Sequence, residues 1–479
     1  MVDLESITID PSILQLIPRS LATESLILPL LVDNGTITVA VTDSTPSAAV
    51  QDVAFLLGKK VKTETVEAAI LRRTVSRLYG FTGPEAEGPG VHESRGVETD
   101  GSAVGLVNRI ISEAISLGAS DIHVEPYERL FRVRYRIDGV LHEAHRPSLQ
   151  SVKTVISRLK IMADLDIAEK RRPQDGRIRI PHDGRTIDIR VSTLPTDFGE
   201  KVVLRILDKS QLKLDLDTLG FEPEDLKVFK RVLKLPFGMV LVTGPTGSGK
   251  TTTLYAALNF INRPEVNITT IEDPIEYNLP GINQTHVRAD IGLTFAAALR
   301  SILRQDPNVI MLGEIRDSET AEIAIRAALT GHLVFSTLHT NDAPSAITRL
   351  VDMGIEPFLV ASSVKMILAQ RLLRKLCNKC KTPIDARVEE YAEFIAGSGS
   401  FYASHGCDEC NRLGYKGRTA VYEILPVTNG LPELISKSAG PARIRDHLES
   451  QGFVTLRVAA LKKAERGETS LDEVLRETA

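Results

Sequence analysis

The chain has 479 residues, 43% of them apolar and 25% charged, with 58 basic against 62 acidic side chains for a formal charge of −4. That length exceeds one core and suggests about three domains, while the ordinary composition excludes wholesale disorder and the charge balance gives no support to a nucleic-acid binder working through bulk positive charge. The opening MVDLESITIDPS has no basic signal region, and no run approaches the roughly 20 apolar residues that cross a bilayer, so a soluble cytoplasmic protein that meets membranes only through partners is expected.

Residues 1–80 mix short apolar strands (LILPLLVDNGTITVAVTD) with helical patterns over 48–60 and 66–80, and read as a small α+β module. The Gly-, Pro- and Glu-rich stretch 81–102 has almost nothing to bury and reads as a flexible linker. From 103 to 212 an amphipathic helix, AVGLVNRIISEAISLG, precedes the alternating segments RVRYRIDGVLHE, GRIRIPHDGRTIDIRVST and KVVLRILDK. Asp138-Gly139 and Asp183-Gly184 fall at hairpin turns, which predicts a half-exposed antiparallel sheet with one or two helices. The remaining domain, 213–479, opens with strand-then-helix units built on FGMVLVTG, NITTIEDP, NVIMLGEI and HLVFSTL. Near-continuous apolar strands between helices predict an α/β core with a parallel sheet covered on both faces. After about 370 come a cysteine-bearing segment and a helical tail.

Gly244-Pro245-Thr246-Gly247-Ser248-Gly249-Lys250-Thr251, followed by Thr252, matches the phosphate-binding loop in full, with an apolar strand before it and a helix after. Glycines let such a loop curl so that its amides and the helix N-terminus face phosphate oxygens. Lys250 then reaches the β- and γ-phosphates and the Thr251 hydroxyl ligates Mg²⁺, so a nucleoside triphosphate is the expected ligand. Strands of this sheet deliver their C-terminal ends to the ligand edge. Glu314, closing NVIMLGEI, is therefore expected near the metal or the attacking water rather than as a plain surface Glu. Glu272, Asp273 and Glu276 around Pro274 form either a solvated turn or further carboxylates facing the same metal. His332 and His339 bracket the strand LVFSTL; capping and γ-phosphate sensing are both open for a strand-end His.

All four cysteines lie in two Cys-x-x-Cys pairs, Cys377/Cys380 and Cys407/Cys410, separated by 26 residues. Two such pairs complete a closed tetrahedral Zn²⁺ site. A redox pair is the competing reading, and two pairs with no other cysteine favour structural zinc. A DNA-reading ribbon lacks a basic stripe and stacking aromatics here. The stretch TPIDARVEEYAEFIAG between the pairs is expected to form a short helix over the site.

Taken together, GPTGSGKTT, TIEDPIEY, LGEIRD and TGHLVFSTLHTN resemble the Walker A, Asp box, atypical Walker B and His box of the secretion ATPase superfamily, the motors of type II secretion and type IV pilus assembly and retraction. GASDIHVEP, RRPQDGRI and VSTLPTDFGEKVVLRIL resemble the second N-terminal domain of these motors, so the resemblance covers nearly the whole chain. It implies a RecA-like P-loop NTPase core preceded by an α+β, PAS-like domain and a small adaptor domain. It also implies a homo-hexameric ring at the cytoplasmic face of the inner membrane, engaging a platform protein there. Under it ATP is the nucleotide hydrolysed, Glu314, Lys250, Glu272 and Glu276 serve catalysis, His339 and the 244–252 stretch bind ATP, and Arg190 and Arg205 reach the γ-phosphate. Arg300, Arg304 and Arg418 resemble further basic residues near the nucleotide or subunit boundary, with an ordinary surface role as the alternative. The tetracysteine insert (374–420) and the first module are typical of assembly motors rather than retraction motors. Residues 1–80 resemble the adaptor that docks on the cytoplasmic part of an inner-membrane partner; repeated Arg-Leu-Gly motifs are absent, so cyclic-dinucleotide binding is not expected. Type II secretion is the first expectation, pilus extension the alternative, and a DNA-translocating conjugation motor the rival of another class.

Overall fold

The computed structural model describes residues 103–208, 214–384 and 400–478, together with positions among the first 75 that include three strands. The expected linker, most of the two helical patterns before it, and most of the helix expected between the cysteine pairs lie outside the described residues. Contacts gather into two units, Met1–Asp208 and Lys209–Ala479.

In the first unit β1 (Leu28–Asp33), β2 (Thr36–Val41) and β3 (Lys60–Thr65) form a three-stranded sheet, antiparallel and then parallel. Further on, helix α1 (Ala103–Ser116) buries Val107, Ile110, Ile111, Ala114 and Ile115, one stripe at helical spacing. It packs with α2 (Val152–Met162) on a six-stranded antiparallel sheet ordered β6-β5-β4-β9-β8-β7. The strands are β4 (Asp121–Pro126), β5 (Phe131–Ile137), β6 (Val140–His145), β7 (Gln174–His182), β8 (Arg185–Thr196) and β9 (Gly199–Leu207). Both expected Asp-Gly pairs sit at hairpin turns, with Asp and Gly alike at positive φ. Alternation then divides the side chains: Ile122, Val124, Ile187, Ile189, Val191, Val202 and Leu204 enter the core. The opposite parity carries Asp121, Arg190 and Arg205.

Lys160 is buried in this module, donating to Glu200 Oε1 at 2.7 Å and to the Glu169 carbonyl at 2.6 Å. It thereby pins the loop that runs from α2 into β7. Lys160→Met is expected to destabilise the module by about 3 kcal/mol, because Glu200 is left charged and buried. Adding Glu200→Met should restore most of that loss, since both charges are then gone. Urea unfolding of the two single variants and the double variant measures the coupling; single-variant losses below about 1 kcal/mol would mean the pair does not hold the loop.

The second unit is built on a seven-stranded sheet ordered β12-β11-β13-β14-β10-β15-β18. Its strands are β10 (Gly238–Thr243), β11 (Ile268–Glu272), β12 (Asn283–His286), β13 (Val309–Leu312), β14 (Leu333–Leu338), β15 (Val364–Leu376) and β18 (Tyr415–Pro426). All neighbouring pairs run parallel except β15 with β18. Burial on both faces explains the unbroken apolar runs: Met239 and Leu241 join one core cluster, Val240 and Val242 the other. The first cluster holds α5 (Phe295–Ile302), α6 (Ser318–Leu329), α7 (Ala343–Asp352) and α8 (Pro357–Ser363). The second holds α3 (Pro223–Val232) and α4 (Lys250–Ile261), the helix after the phosphate loop.

The long β15 and the antiparallel edge β18 depart from the expected purely parallel sheet. β16 (Lys381–Ile384) and β17 (Phe401–Ser404) form a separate hairpin beside the cysteines. Short helices α9 (Leu431–Ser436), α10 (Pro441–Ser450), α11 (Leu456–Glu465) and α12 (Leu471–Thr478) close the chain, as the helical tail predicts. No helix among the described residues is long and apolar enough to cross a membrane.

Candidate active site and metal centre

β10 ends at Thr243, flanked in register by Leu338 of β14 and Ala369 of β15. The chain then turns through the loop into α4. Two glycines there are steric necessities. A Cβ at Gly244 would stand 2.5 Å from the Gln370 carbonyl, and one at Gly249 would stand 2.8 Å from Gln370 Nε2; both have positive φ. Pro245, Thr246 and Gly247 are exposed at the loop's crest, as is Thr251 on the first turn of α4, with Thr252 half-buried beside it. Lys250 Nζ donates to the Gly244 and Pro245 carbonyls at 2.8 and 3.0 Å, so the ammonium lies folded over its own loop. Burial holds it down to about 8, with Glu314 pulling the other way.

Glu314 stands just past β13, as its sequence position predicts. Its backbone is clamped on both sides: Gly313 N donates to Ile271 O at 2.8 Å, Thr337 Oγ1 to Gly313 O at 2.6 Å, and Ile315 N to Thr337 O at 3.1 Å. The carboxylate accepts from Arg316 at 2.6 Å and meets His339 Nε2 at 3.3 Å. Burial alone would push its carboxyl up, but Arg316 and His339 outweigh that and hold it below the usual range. His339 is carried by the loop after β14, which Thr243 ties to the end of β10: Thr340 N donates to Thr243 Oγ1 at 2.8 Å. Strand ends thus bring Lys250, Glu314 and His339 to one edge. An ionised carboxylate beside an ammonium and an exposed imidazole can orient water and accept a proton from it.

Other expected residues are placed differently. Glu272 is 3% exposed and turned inward, accepting from Thr270 Oγ1 at 2.5 Å, Gln284 Nε2 at 2.9 Å and the Tyr255 hydroxyl. Those bonds use both its oxygens, so as it stands Glu272 ties α4 to β11 and β12 instead of presenting an oxygen at the open edge. Burial and this carboxylate push the Tyr255 phenol up. Asp273 is exposed and Glu276 half-buried in the turn that follows. His332 takes the capping role, its Nδ1 3.0 Å from the Ala327 carbonyl near the end of α6. Arg300 pairs with Glu319, and Arg304 donates to Arg300 O at 2.8 Å. Arg418 is exposed on β18, directly opposite Arg374.

Arg190 and Arg205 belong to the other unit, where they are direct cross-strand partners; Arg205 also bonds Asp121 at 3.1 Å. The two guanidiniums lie side by side on the sheet face away from the core, and the Asp121 carboxylate offsets part of their mutual repulsion. Sequence reasoning missed Arg316, Tyr255 and Gln284. Arg316 lies only two positions after Glu314, a spacing that a carboxylate at a strand tip makes informative.

The four cysteine sulfurs lie within 4.8 Å of one another, with Cys377–Cys407, Cys380–Cys410 and Cys407–Cys410 at 3.8, 3.9 and 3.7 Å. Tetrahedral zinc with thiolates at about 2.3 Å requires edges of about 3.8 Å, whereas a disulfide requires about 2.05 Å. Cys410 Sγ also accepts from the Cys407 and Gly414 amides at 3.2 and 3.3 Å, bonds that favour a thiolate. The donor set therefore fits a structural zinc ion and no open coordination position remains.

A sequence model of the type II/IV secretion system protein family matches residues 97–476, and one of the MshEN domain matches residues 1–85. The type IV pilus assembly ATPase PilB of Myxococcus xanthus is 48% identical over 100% of this chain and 88% of its own. The type II secretion system ATPase E of Vibrio cholerae is 51% identical over 80% of this chain and 76% of its own. Among solved structures, the pilus retraction motor PilT with bound ADP is 28% identical, covers 77% of this chain and 96% of its own, and superposes with a TM-score of 0.51. The Legionella pneumophila ATPase DotB shares the fold, with a TM-score of 0.58 over 80% of this chain and 97% of its own at 21% identity.

Proposed function

We propose, from the premise that this chain belongs to the type II/IV secretion system protein family, that the ATP-hydrolysing enzyme is an assembly motor extending a pseudopilus or pilus from the cytoplasmic face of a bacterial inner membrane. The observation that carries the reading is the convergence of Lys250, Glu314 and His339 at one sheet edge, behind a complete phosphate loop. Lys250 leaves the loop carbonyls for the β- and γ-phosphates, the loop amides hold the remaining oxygens, and Glu314 directs water onto the γ-phosphate. Thr251 is the residue that would ligate Mg²⁺, which supplies charge neutralisation on the phosphates when bound.

Arg190 and Arg205 are the arginines assigned to the γ-phosphate, supplied by their domain within a homo-hexameric ring. What supports this role is that β8 and β9 place the two side by side in register on the sheet face away from the core. Arg205→Ala is expected to lower turnover severalfold and leave ATP binding in place; phosphate release beside nucleotide titration checks it, and unaltered turnover would remove Arg205 from the reaction. Residues 1–80 are assigned to docking on the cytoplasmic domain of an inner-membrane partner, with a platform protein as the second contact and no nucleic acid.

Type II secretion remains the first reading. Pilus extension is the second, favoured by the pilus ATPase whose similarity spans the whole chain where the secretion ATPase spans 80% of it. The decisive assay measures ATPase rate against protein concentration, with and without the cytoplasmic domain of the secretion or pilus partner. Stimulation by one partner alone selects between the two; strong stimulation by DNA instead would support a conjugation-type translocase.

A further inference from the structure

Arg371 lies on β15 just beyond the register pair Thr243–Ala369, at the level of the phosphate loop. It is only 8% exposed. Its Nη1 donates to the Gln370 carbonyl at 3.2 Å and its Nη2 to the Asn341 carbonyl at 3.0 Å. Both acceptors are neutral, and among the described residues no carboxylate reaches ion-pair distance from this guanidinium. A buried guanidinium bonded only to neutral acceptors has no direct ion pair to offset its desolvation, so such a position calls for an explanation.

The surroundings of Arg371 differ on its two sides. A Cβ built on Gly244 would lie 3.3 Å from Nη1 and 2.8 Å from Ser248 Oγ, so the guanidinium backs directly onto the loop. Ser248 Oγ is itself buried there without a partner. The positive charge is felt at Lys250, whose ammonium it disfavours. The other side faces a cavity of about 620 Å³ lined by α7, α10, α11 and the end of α12.

Three carboxylates favour the Arg371 charge from that side at longer range, while each makes its hydrogen bonds or ion pair to other groups. Glu423 accepts from Ala343 N at 2.7 Å and Leu456 N at 2.9 Å, closing the first turns of α7 and α11. Asp342 caps α7 through Ser345 N at 2.7 Å, and Glu477 pairs with Arg476 at 3.0 Å. The chain thus keeps a guanidinium behind its phosphate loop and spends the nearby acids on other tasks.

We propose that the counter-charge on the loop side of Arg371 is the phosphate chain of the bound nucleotide, and that Arg371 is a positioning residue which raises the loop's positive potential from behind. It supplements Lys250 within the same domain, unlike Arg190 and Arg205, which belong to the other unit. The inference rests on reading 244–251 as the ATP site.

Fluorescent ATP and ADP analogues titrated into the full chain and into R371M, R371Q and R371K test it, with melting of each protein recorded without nucleotide. Loss of the charge should weaken ATP binding about ten-fold, which is about 1.4 kcal/mol, and weaken ADP binding less. Nucleotide-free melting should stay level or rise, because a buried charge with no direct ion pair has gone. Lysine should recover most of the affinity. A merely structural arginine gives the reverse pattern: melting falls, and lysine, which cannot span both carbonyls, rescues nothing. That pattern, or ATP affinity of R371M within about two-fold of the parent, overturns the proposal. Where R371M does not fold, R371Q carries the same readings, since its amide can still donate to a carbonyl. Failure of the parent to bind ATP would reject the ATP reading itself, a distinct result.

Discussion

Glu314→Gln is expected to bind ATP as the parent does and to hydrolyse it at least about a hundred-fold more slowly. Three features of the site lead there. The carboxylate is held, because Gly313 and Ile315 are clamped between β11 and β14 and its oxygens meet Arg316 and His339. It stays ionised, because Arg316 and His339 overcome the effect of burial. It also makes no hydrogen bond to Lys250, whose donors go to loop carbonyls, so its loss leaves the phosphate-binding groups in place. Glutamine keeps the shape and an acceptor for Arg316 but can neither take a proton nor carry the charge that polarises water. Phosphate release and nucleotide titration on the same preparation separate the possibilities. Turnover near the parent's would take Glu314 out of the mechanism, and lost ATP binding would recast it as part of the fold.

That carboxylate was readable from the sequence because three independent signals coincide at it: a buried apolar run, a glycine, and a charge at the strand's end. The phosphate loop was more legible still, since its geometry depends on backbone and on Gly244 and Gly249, where side chains would collide with Gln370. The hairpins of the second module followed from period-two alternation and Asp-Gly turns. Where those local signals are lacking, the sequence is silent. Strand β15, VKMILAQRLLRKL, is buried along most of its length between β10 and β18, so its apolar positions lose the alternation that marks a strand and look as much like a buried helix. β18 is recognised only as the partner of β15, through a pairing about fifty residues apart.

Side-chain direction is the other thing a single sequence leaves open. Glu272 and Glu314 both close apolar strands, yet Glu272 turns inward because Tyr255 and Gln284, from different elements, meet it there with donors. Arg371 escaped attention for the related reason that nothing local distinguishes it from Arg374 three positions later. Arg374 finds Glu473 at 2.8 Å, and Arg371 finds no acid free to pair. The contrast is made by tertiary structure alone.

Cys407→Ser is expected to release the metal and to unravel the end of the β15–β18 hairpin while ATP binding persists. The parent should carry one zinc ion per chain; the variant should carry none. Cys377 follows β15 directly, Cys410 leads into β18, and the two strands are last joined at the pair Leu376–Tyr415. The metal would therefore act as the clasp that closes this ladder beyond its final hydrogen bonds. Structural zinc sites contribute about 10 kcal/mol or more of binding energy that becomes folding energy, which makes this the largest local stability effect expected anywhere in the chain. Exchange of amide hydrogens should accelerate at Lys381–Ile384, Phe401–Ser404 and the first residues of β18. It should fade toward Gln370, where β15 is held by β10 and by the Thr253 hydroxyl at 2.8 Å. Chelation of the parent should reproduce the pattern, and zinc should reverse it. A parent that purifies without zinc but with paired cysteines by mass would favour the redox reading instead, and protection unchanged by metal removal would leave the four sulfurs with no structural task.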